Sequence, residues 1–327
     1  MVSRPTGGGR DATGGSGSEP IDFETAQRAL FEVAGLDVRS RFVDLGPSLG
    51  RAHVFETGPS NGEVPLAFVH GTDLFGASFA PLLRRLGDVR CVAFDRPGYG
   101  LSDPFAYTEG NVRKTCVDSL AGALDGAGID RADVVGHSMG GHAALLFARS
   151  RPERVRRLVL LGGLPGFPGT SPPIRLRLLT APVLTRVFQR LRTPDEAAVL
   201  EMADTFGEAE AIRDHPELVR AIAAHERDPK AGRTGVGEFG ALVSLRGWRP
   251  SVRIGDADLD GVRAPTLLIW GRNDPLGRPE DVREAAGRLP EVRFEETDTG
   301  HIPFLGRPGR CAELIREARG VAADAGT

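Results

Sequence analysis

Hydrophobic positions along the chain recur with two periods that alternate from the N-terminus onward. Phe23–Ala34 has helical spacing and ends near Gly35. Arg39–Leu45 alternates as a strand, and Arg51–Glu56 reads as a second, the turn cluster Thr57–Gly62 following it. Pro65–Val69 is a third, wholly apolar strand that ends at His70-Gly71-Thr72. A short helix over Pro81–Gly87 precedes a buried strand, Arg90–Phe94, which runs into Asp95-Arg96-Pro97-Gly98-Tyr99-Gly100-Leu101-Ser102-Asp103. A helix over Val112–Ala127 leads to the strand Asp133–Val135 and then to an alanine-rich helix over His142–Ala148. Arg156–Leu161 is the next strand.

Beyond that strand the pattern changes. Gly162–Pro173 reads as a Gly/Pro-rich exit loop. Ile174–Leu191, Pro194–Phe206 and Pro216–Glu226 have helical periodicity, and Ala231–Gly240 reads as a glycine-rich break. Strands resume only at Pro265–Trp270, followed by a helix over Pro279–Leu289, a strand Val292–Glu296 and a closing helix over Pro308–Ala318. Alternating strands and helices predict an α/β chain with a doubly wound, mostly parallel sheet. The helical block is too long for a simple crossover. It predicts a cap, residues 163–261, inserted between core segments 21–162 and 262–320 and lying over the carboxyl edge of the sheet, where ligands bind in such folds.

Composition narrows the picture. The chain is 40% hydrophobic and 26% charged, an ordinary globular balance. A net charge of −3 leaves no basic footprint, which argues against a nucleic-acid partner. No apolar run is long enough for a membrane span. The three cysteines, Cys91, Cys116 and Cys311, are scattered and lack metal spacing, so they read as reduced and buried, consistent with a cytoplasmic protein. Residues 1–20 are rich in Gly, Ser, Thr and Arg without an apolar stretch, and read as a disordered tail rather than a secretory signal.

Candidate chemistry centres on Gly136-His137-Ser138-Met139-Gly140, a G-x-S-x-G between an apolar strand and a helix. Such a serine sits on a tight turn, its neighbouring glycines allow close chain approach, and helix N-terminal amides lie beside it. A serine hydroxyl needs a base, and the base needs an anion to fix its tautomer. Seven histidines can be weighed. His53 lies in a strand and reads as structural. His215 and His225 fall in cap helices and read as solvated. His70 reads as a loop-orienting residue. His137 flanks the serine and should point away from it, and His142 should pack on its helix. His301, in Thr297-Asp298-Thr299-Gly300-His301 after a strand, sits where the base is required. Asp274, after the strand ending at Trp270, falls between serine and histidine in chain order and fits the acid. Asp298 reads as a residue that shapes the histidine loop. Asp256, Asp258 and Asp260 read as surface.

The ordered set His70-Gly71, Asp95…Gly98-Tyr99-Gly100…Ser102, Gly136-His137-Ser138-Met139-Gly140-Gly141, Gly271…Asp274 and Gly300-His301 resembles the α/β-hydrolase superfamily over about Arg39–Ala318, the cap apart. The resemblance implies the α/β-hydrolase fold, with Ser138 as nucleophile, His301 as base and Asp274 as its orienter. It also implies an oxyanion hole from the backbone N–H groups of Met139 and Thr72, supported by the loop residues His70, Gly71, Gly136 and Gly140. Many relatives carry an apolar residue at the position of Thr72, whose hydroxyl either adds a donor or, the favoured reading, bonds its own loop. The Asp95–Asp103 segment is assigned no chemistry and reads as a loop that needs glycines to turn under the cap.

A serine at this position argues against dehalogenase and epoxide-hydrolase chemistry, which uses an aspartate there. Met139 departs from the tryptophan of proline iminopeptidases. Ring-cleavage C–C hydrolases often carry Trp after the histidine and an arginine in the cap. Ile302 departs from the first, whereas Arg246 and Trp248 keep that reading open. No metal cluster, phosphate loop or dinucleotide fingerprint occurs, so no cofactor is expected. The expected function is hydrolysis of an ester, thioester or lactone of a small apolar molecule through an acyl-enzyme. The alternatives are a C–C hydrolase of a vinylogous diketone, a cofactor-free perhydrolase and a ligand sensor without turnover. A small molecule is the expected partner, and a homo-oligomer stays open.

Overall fold

The computed structural model describes residues 21–181 and 193–320. The expected tail and four apolar positions of the cap, Val183, Leu184, Val187 and Phe188, lie outside the described residues.

Helix α1 (Phe23–Ala34) starts where the Asp22 carboxylate accepts the Thr25 N–H, and stops at Gly35, left-handed at φ 63°. Strands β1 (Arg39–Asp44) and β2 (Arg51–Thr57) form an antiparallel pair, and β2 pairs antiparallel with β4 (Cys91–Phe94). From β4 the sheet is parallel: β4 and β5 (Ala132–His137) flank β3 (Leu66–Val69), and β6 (Val155–Leu161) follows β5. Strands β3, β4 and β5 are buried at every position, so they read as apolar runs rather than as alternation.

Helices α2 (Ala80–Arg85), α3 (Val112–Gly126) and α4 (Met139–Ser150) connect these strands. Residues between β6 and the next strand of the main sheet are mainly helical: α5 (Ile174–Leu178), α6 (Glu196–Thr205), α7 (Pro216–Arg227), α8 (Pro229–Leu242) and α9 (Asp256–Leu259), with a small hairpin, β7 (Val243–Ser244) and β8 (Gly247–Trp248), after α8. The sheet resumes with β9 (Thr266–Gly271), then α10 (Pro279–Ala286), β10 (Arg293–Thr297), α11 (Pro303–Gly306) and α12 (Pro308–Arg319). The main sheet has eight strands in the order β1-β2-β4-β3-β5-β6-β9-β10. One apolar core joins its face to α3, α4 and α10, and the other joins the opposite face to α1, α2 and α12.

Two expectations need correction. Ala231–Gly240 is no break: it lies within the 14-residue helix α8. Each glycine in a helix costs up to about 1 kcal/mol against alanine, and at Gly235 close packing gives the reason. A Cβ on Gly235 would overlap the Asp73 carboxylate, and Gly98 is pressed against Thr234. The helix is also started firmly, by Pro229 at its first turn and by Asp228, which accepts the Lys230 N–H at 2.8 Å. The second correction is Asp258, which is buried rather than on the surface. Its Oδ1 pairs with Arg113 at 2.7 Å and Arg149 at 3.1 Å, tying α9 to α3 and α4. No helix among the described residues is long and apolar enough to cross a membrane.

Candidate active site

Because β3, β5, β6, β9 and β10 run parallel, the loops that leave their carboxyl ends share one edge of the sheet. Ser138 stands between β5 and α4 with φ 52° and ψ −117°, left-handed for a non-glycine residue. Neighbouring chain enforces that turn. A Cβ on Gly136 would strike the Gly140 carbonyl, and one on Gly140 would strike the Val69 carbonyl of β3. Gly71 lies close enough that its Cβ would sit 3.1 Å from Ser138 Cβ. The elbow therefore depends on glycines in its own loop and in the loop after β3.

Ser138 Oγ donates to His301 Nε2 at 2.8 Å, and His301 Nδ1 donates to Asp274 Oδ2 at 2.9 Å. Asp274 is itself fixed, accepting from the Gly163 N–H at 2.7 Å and the Leu276 N–H at 2.9 Å. Gly162 at φ 67° lets β6 exit close to the His301 carbonyl, where a side chain would collide. The three residues are buried yet border one cavity of about 400 Å³ through Ser138 and His301. Met139 opens α4, so its N–H has no partner within that helix, and Thr72 lines the same cavity beside Ser138.

Five other histidines are buried without joining this chain. His70 donates from Nδ1 to the Gly71 carbonyl at 2.8 Å and accepts the Arg96 N–H at Nε2 at 2.9 Å, locking the loop that carries Thr72. His142 donates to the Pro165 carbonyl at 2.9 Å. His53 bonds the Asp95 carboxylate at 3.0 Å. His137, expected to point away, donates to the His301 carbonyl at 3.1 Å and so braces the same loop. His225 is not solvated: it is buried, lines the cavity and accepts the Gly100 N–H at 3.0 Å. Burial pushes His70 down to about 3 and His142 and His225 down to about 4, and takes His137 well below its ordinary value. These rings stay neutral donors or acceptors.

The Asp95–Asp103 segment is more than a turn. The buried Asp95 carboxylate accepts from the Gly76 N–H at 2.7 Å and the Leu101 N–H at 2.9 Å. Arg96 makes a two-pronged buried pair with Glu238 of α8, at 2.6 and 2.9 Å, and the Tyr99 hydroxyl donates to the same carboxylate at 2.6 Å. This network ties the helical insertion to the loop beside the elbow. Glu238→Ala should destabilise the fold by about 3–5 kcal/mol, because it strands the Arg96 charge in the interior. Urea unfolding of the variant checks this, and a loss under about 1 kcal/mol would mean that Arg96 escapes to water.

A model of the alpha/beta hydrolase family matches residues 66–314. The chain belongs to that family. Among curated proteins it is 31% identical over 242 residues to a 2-hydroxy-6-oxononadienedioate/2-hydroxy-6-oxononatrienedioate hydrolase of Paraburkholderia phymatum, covering 68% of this chain and 75% of that protein. It is 29% identical over 270 residues to a 2-hydroxy-6-oxo-6-phenylhexa-2,4-dienoate hydrolase of Burkholderia cepacia, covering 78% and 87%. Among solved structures, a carboxylesterase from Bacillus subtilis superposes with a TM-score of 0.69 at 22% identity, over 91% of this chain and 96% of that one. That likeness establishes the shared fold.

Sequence reasoning passed over two contributors to the site. Glu208 accepts the N–H of Ile302, next to His301, at 2.6 Å, and Phe206 accepts the His301 N–H on its carbonyl at 2.9 Å. Both lie just after α6, in a stretch with no motif, so no signal in the chain could have singled them out.

Proposed function

We propose that this hydrolase acts on a carbonyl carbon with Ser138 as nucleophile, His301 as base, Asp274 as orienter and the N–H groups of Met139 and Thr72 as oxyanion donors. The observation that carries the reading is the hydrogen-bonded chain from Ser138 through His301 to Asp274 at the wall of a largely apolar cavity. Ser138 Oγ bonds to the carbonyl carbon while its proton passes to His301 Nε2. The oxyanion rests on backbone donors at the start of α4, where the helix dipole also favours negative charge. Collapse expels the leaving group, which takes the proton from His301. Water, deprotonated by the same imidazole, then releases the acid and restores Ser138. Water is the only co-reactant, and no cofactor enters.

The relatives' names favour a vinylogous diketone as substrate, with a C–C bond broken and a conjugated carbanion as the group that His301 protonates. Trp248 lines the cavity, in keeping with that reading, although Arg246 is exposed on the β7–β8 turn. A second reading, ester hydrolysis, is favoured by Ile302: an apolar residue follows His301 and lines the cavity. A paired assay decides. Purified protein is given a coloured dienol of the vinylogous diketone class and a series of p-nitrophenyl esters from acetate to decanoate. Turnover of the dienol exceeding that of every ester by about a hundredfold in kcat/KM is expected. A reversed preference assigns the protein to the esters.

A further inference from the structure

The segment after α6 is wedged between the two loops that carry Asp274 and His301. Gly207, left-handed at φ 74°, lies so close that its Cβ would stand 3.2 Å from the Asn273 carbonyl and 3.2 Å from Gly300 Cα. On one side of it the Phe206 carbonyl takes the His301 N–H, and the Phe206 ring lies 5.2 Å from the imidazole at 31°. On the other side Glu208, 1% exposed, takes the Ile302 N–H, and its carboxylate also faces the Gly300 N–H. The N–H groups of residues 300–302 are thus met by two residues of the helical insertion, Phe206 and Glu208, with Gly207 packed between the two loops. Phe206 also walls the cavity, together with Val199, Met202 and Ala203 of α6. The element that receives the substrate is the one that holds the base.

A full carboxylate in so buried a place needs a reason. A carboxylate with one or two N–H donors and, among the described residues, no Lys or Arg paired with it is costly to bury. Burial pushes Glu208 up to about 7. The titratable groups facing it are His301 and Asp274 from the two loops and the Cys311 thiol from α12. An alanine or leucine would avoid that cost, but it would leave the Ile302 N–H beside His301 without its acceptor.

We infer that Glu208 is a positioning residue for His301: it fixes the backbone on either side of the imidazole, while α6 links that support to the cavity wall. The inference rests on the assignment of Ser138 and His301 as nucleophile and base. Its test therefore uses a probe that reads Ser138 activation without any substrate. Wild type, Glu208→Ala and Glu208→Gln are reacted with a fluorophosphonate across pH 5–9, with the second-order rate of Ser138 phosphonylation and the labelled fraction measured. In this step Ser138 Oγ bonds to phosphorus, fluoride leaves, and His301 accepts the serine proton.

Glu208→Ala should slow labelling on the order of tenfold or more, because the base loses its alignment. Glu208→Gln keeps one oxygen acceptor and nearly the same volume, so its rate should fall between the two. That graded order is a rescue by the conservative variant, which restores an acceptor for the Ile302 N–H. A folding defect would lower the labelled fraction and leave the rate of the folded fraction unchanged. A Glu208→Ala rate within about twofold of wild type, or a Glu208→Gln rate no faster than that of Glu208→Ala, overturns the inference while leaving the hydrolase assignment standing. Wild type that is not labelled at Ser138 overturns both.

Discussion

Replacing Ser138 with alanine is expected to lower turnover of the preferred substrate by about a thousandfold or more, with the fold unchanged. The variant keeps the Cβ, so the strained elbow at φ 52° and the packing of Gly136 and Gly140 are untouched. What disappears is the one oxygen within 2.8 Å of His301 Nε2. The proposed oxyanion donors on Met139 and Thr72 would remain, and a residual rate above that of water is expected from them. Steady-state kinetics of the pure variant, with its melting temperature alongside, checks the prediction. Turnover within about tenfold of wild type would remove Ser138 as the nucleophile and would turn attention to water activated directly by His301.

Acidification from pH 7.5 to 5 should destabilise the folded chain by several kcal/mol, well before the carboxylates lose their charge. The source is the set of buried histidines. An unfolded histidine titrates near 6.5, whereas burial holds His70 at about 3 and His142 and His225 at about 4. Below pH 6.5 the unfolded chain therefore binds protons that the folded chain refuses, and stability falls until the folded values are reached. At pH 5 each of these groups costs about 2 kcal/mol. Glu208 works in the opposite direction. Raised to about 7 when folded, it takes its proton in the folded state first, and it returns about 2 kcal/mol over the same range. Three groups outweigh one. Urea unfolding at pH 7.5, 6.5 and 5 measures the net effect, and His142→Gln should flatten the curve by its own share. Stability that holds steady or rises at pH 5 would contradict the buried, neutral state of these rings.

Much of the molecule was legible from one dimension because its signals are local. A short, mainly apolar run bounded by turn signals reads as a buried strand, as β3, β5 and β9 illustrate. Gly136-His137-Ser138-Met139-Gly140 names its own turn, since only small neighbours allow the chain to pass so close. The order Ser138, Asp274, His301 follows from the order of parallel strands, each delivering one loop to the same edge. The sequence by itself thus determined the strands, the elbow and the three residues to be brought together. What it left open depends on contacts between segments far apart in the chain. Helix α8 reads as a break because propensity counts its glycines, whereas in the fold Gly235 packs on the Asp73 carboxylate and Thr234 on Gly98, both far away in the chain. His225 and Asp258 read as surface residues because neither Gly100 nor the arginines 113 and 149 are near in sequence. Glu208 has no motif at all: its role arises when residue 302, ninety-four positions away, presents an N–H at 2.6 Å. Burial and pairing of polar groups are properties of the assembled interior, so tertiary structure alone decided them.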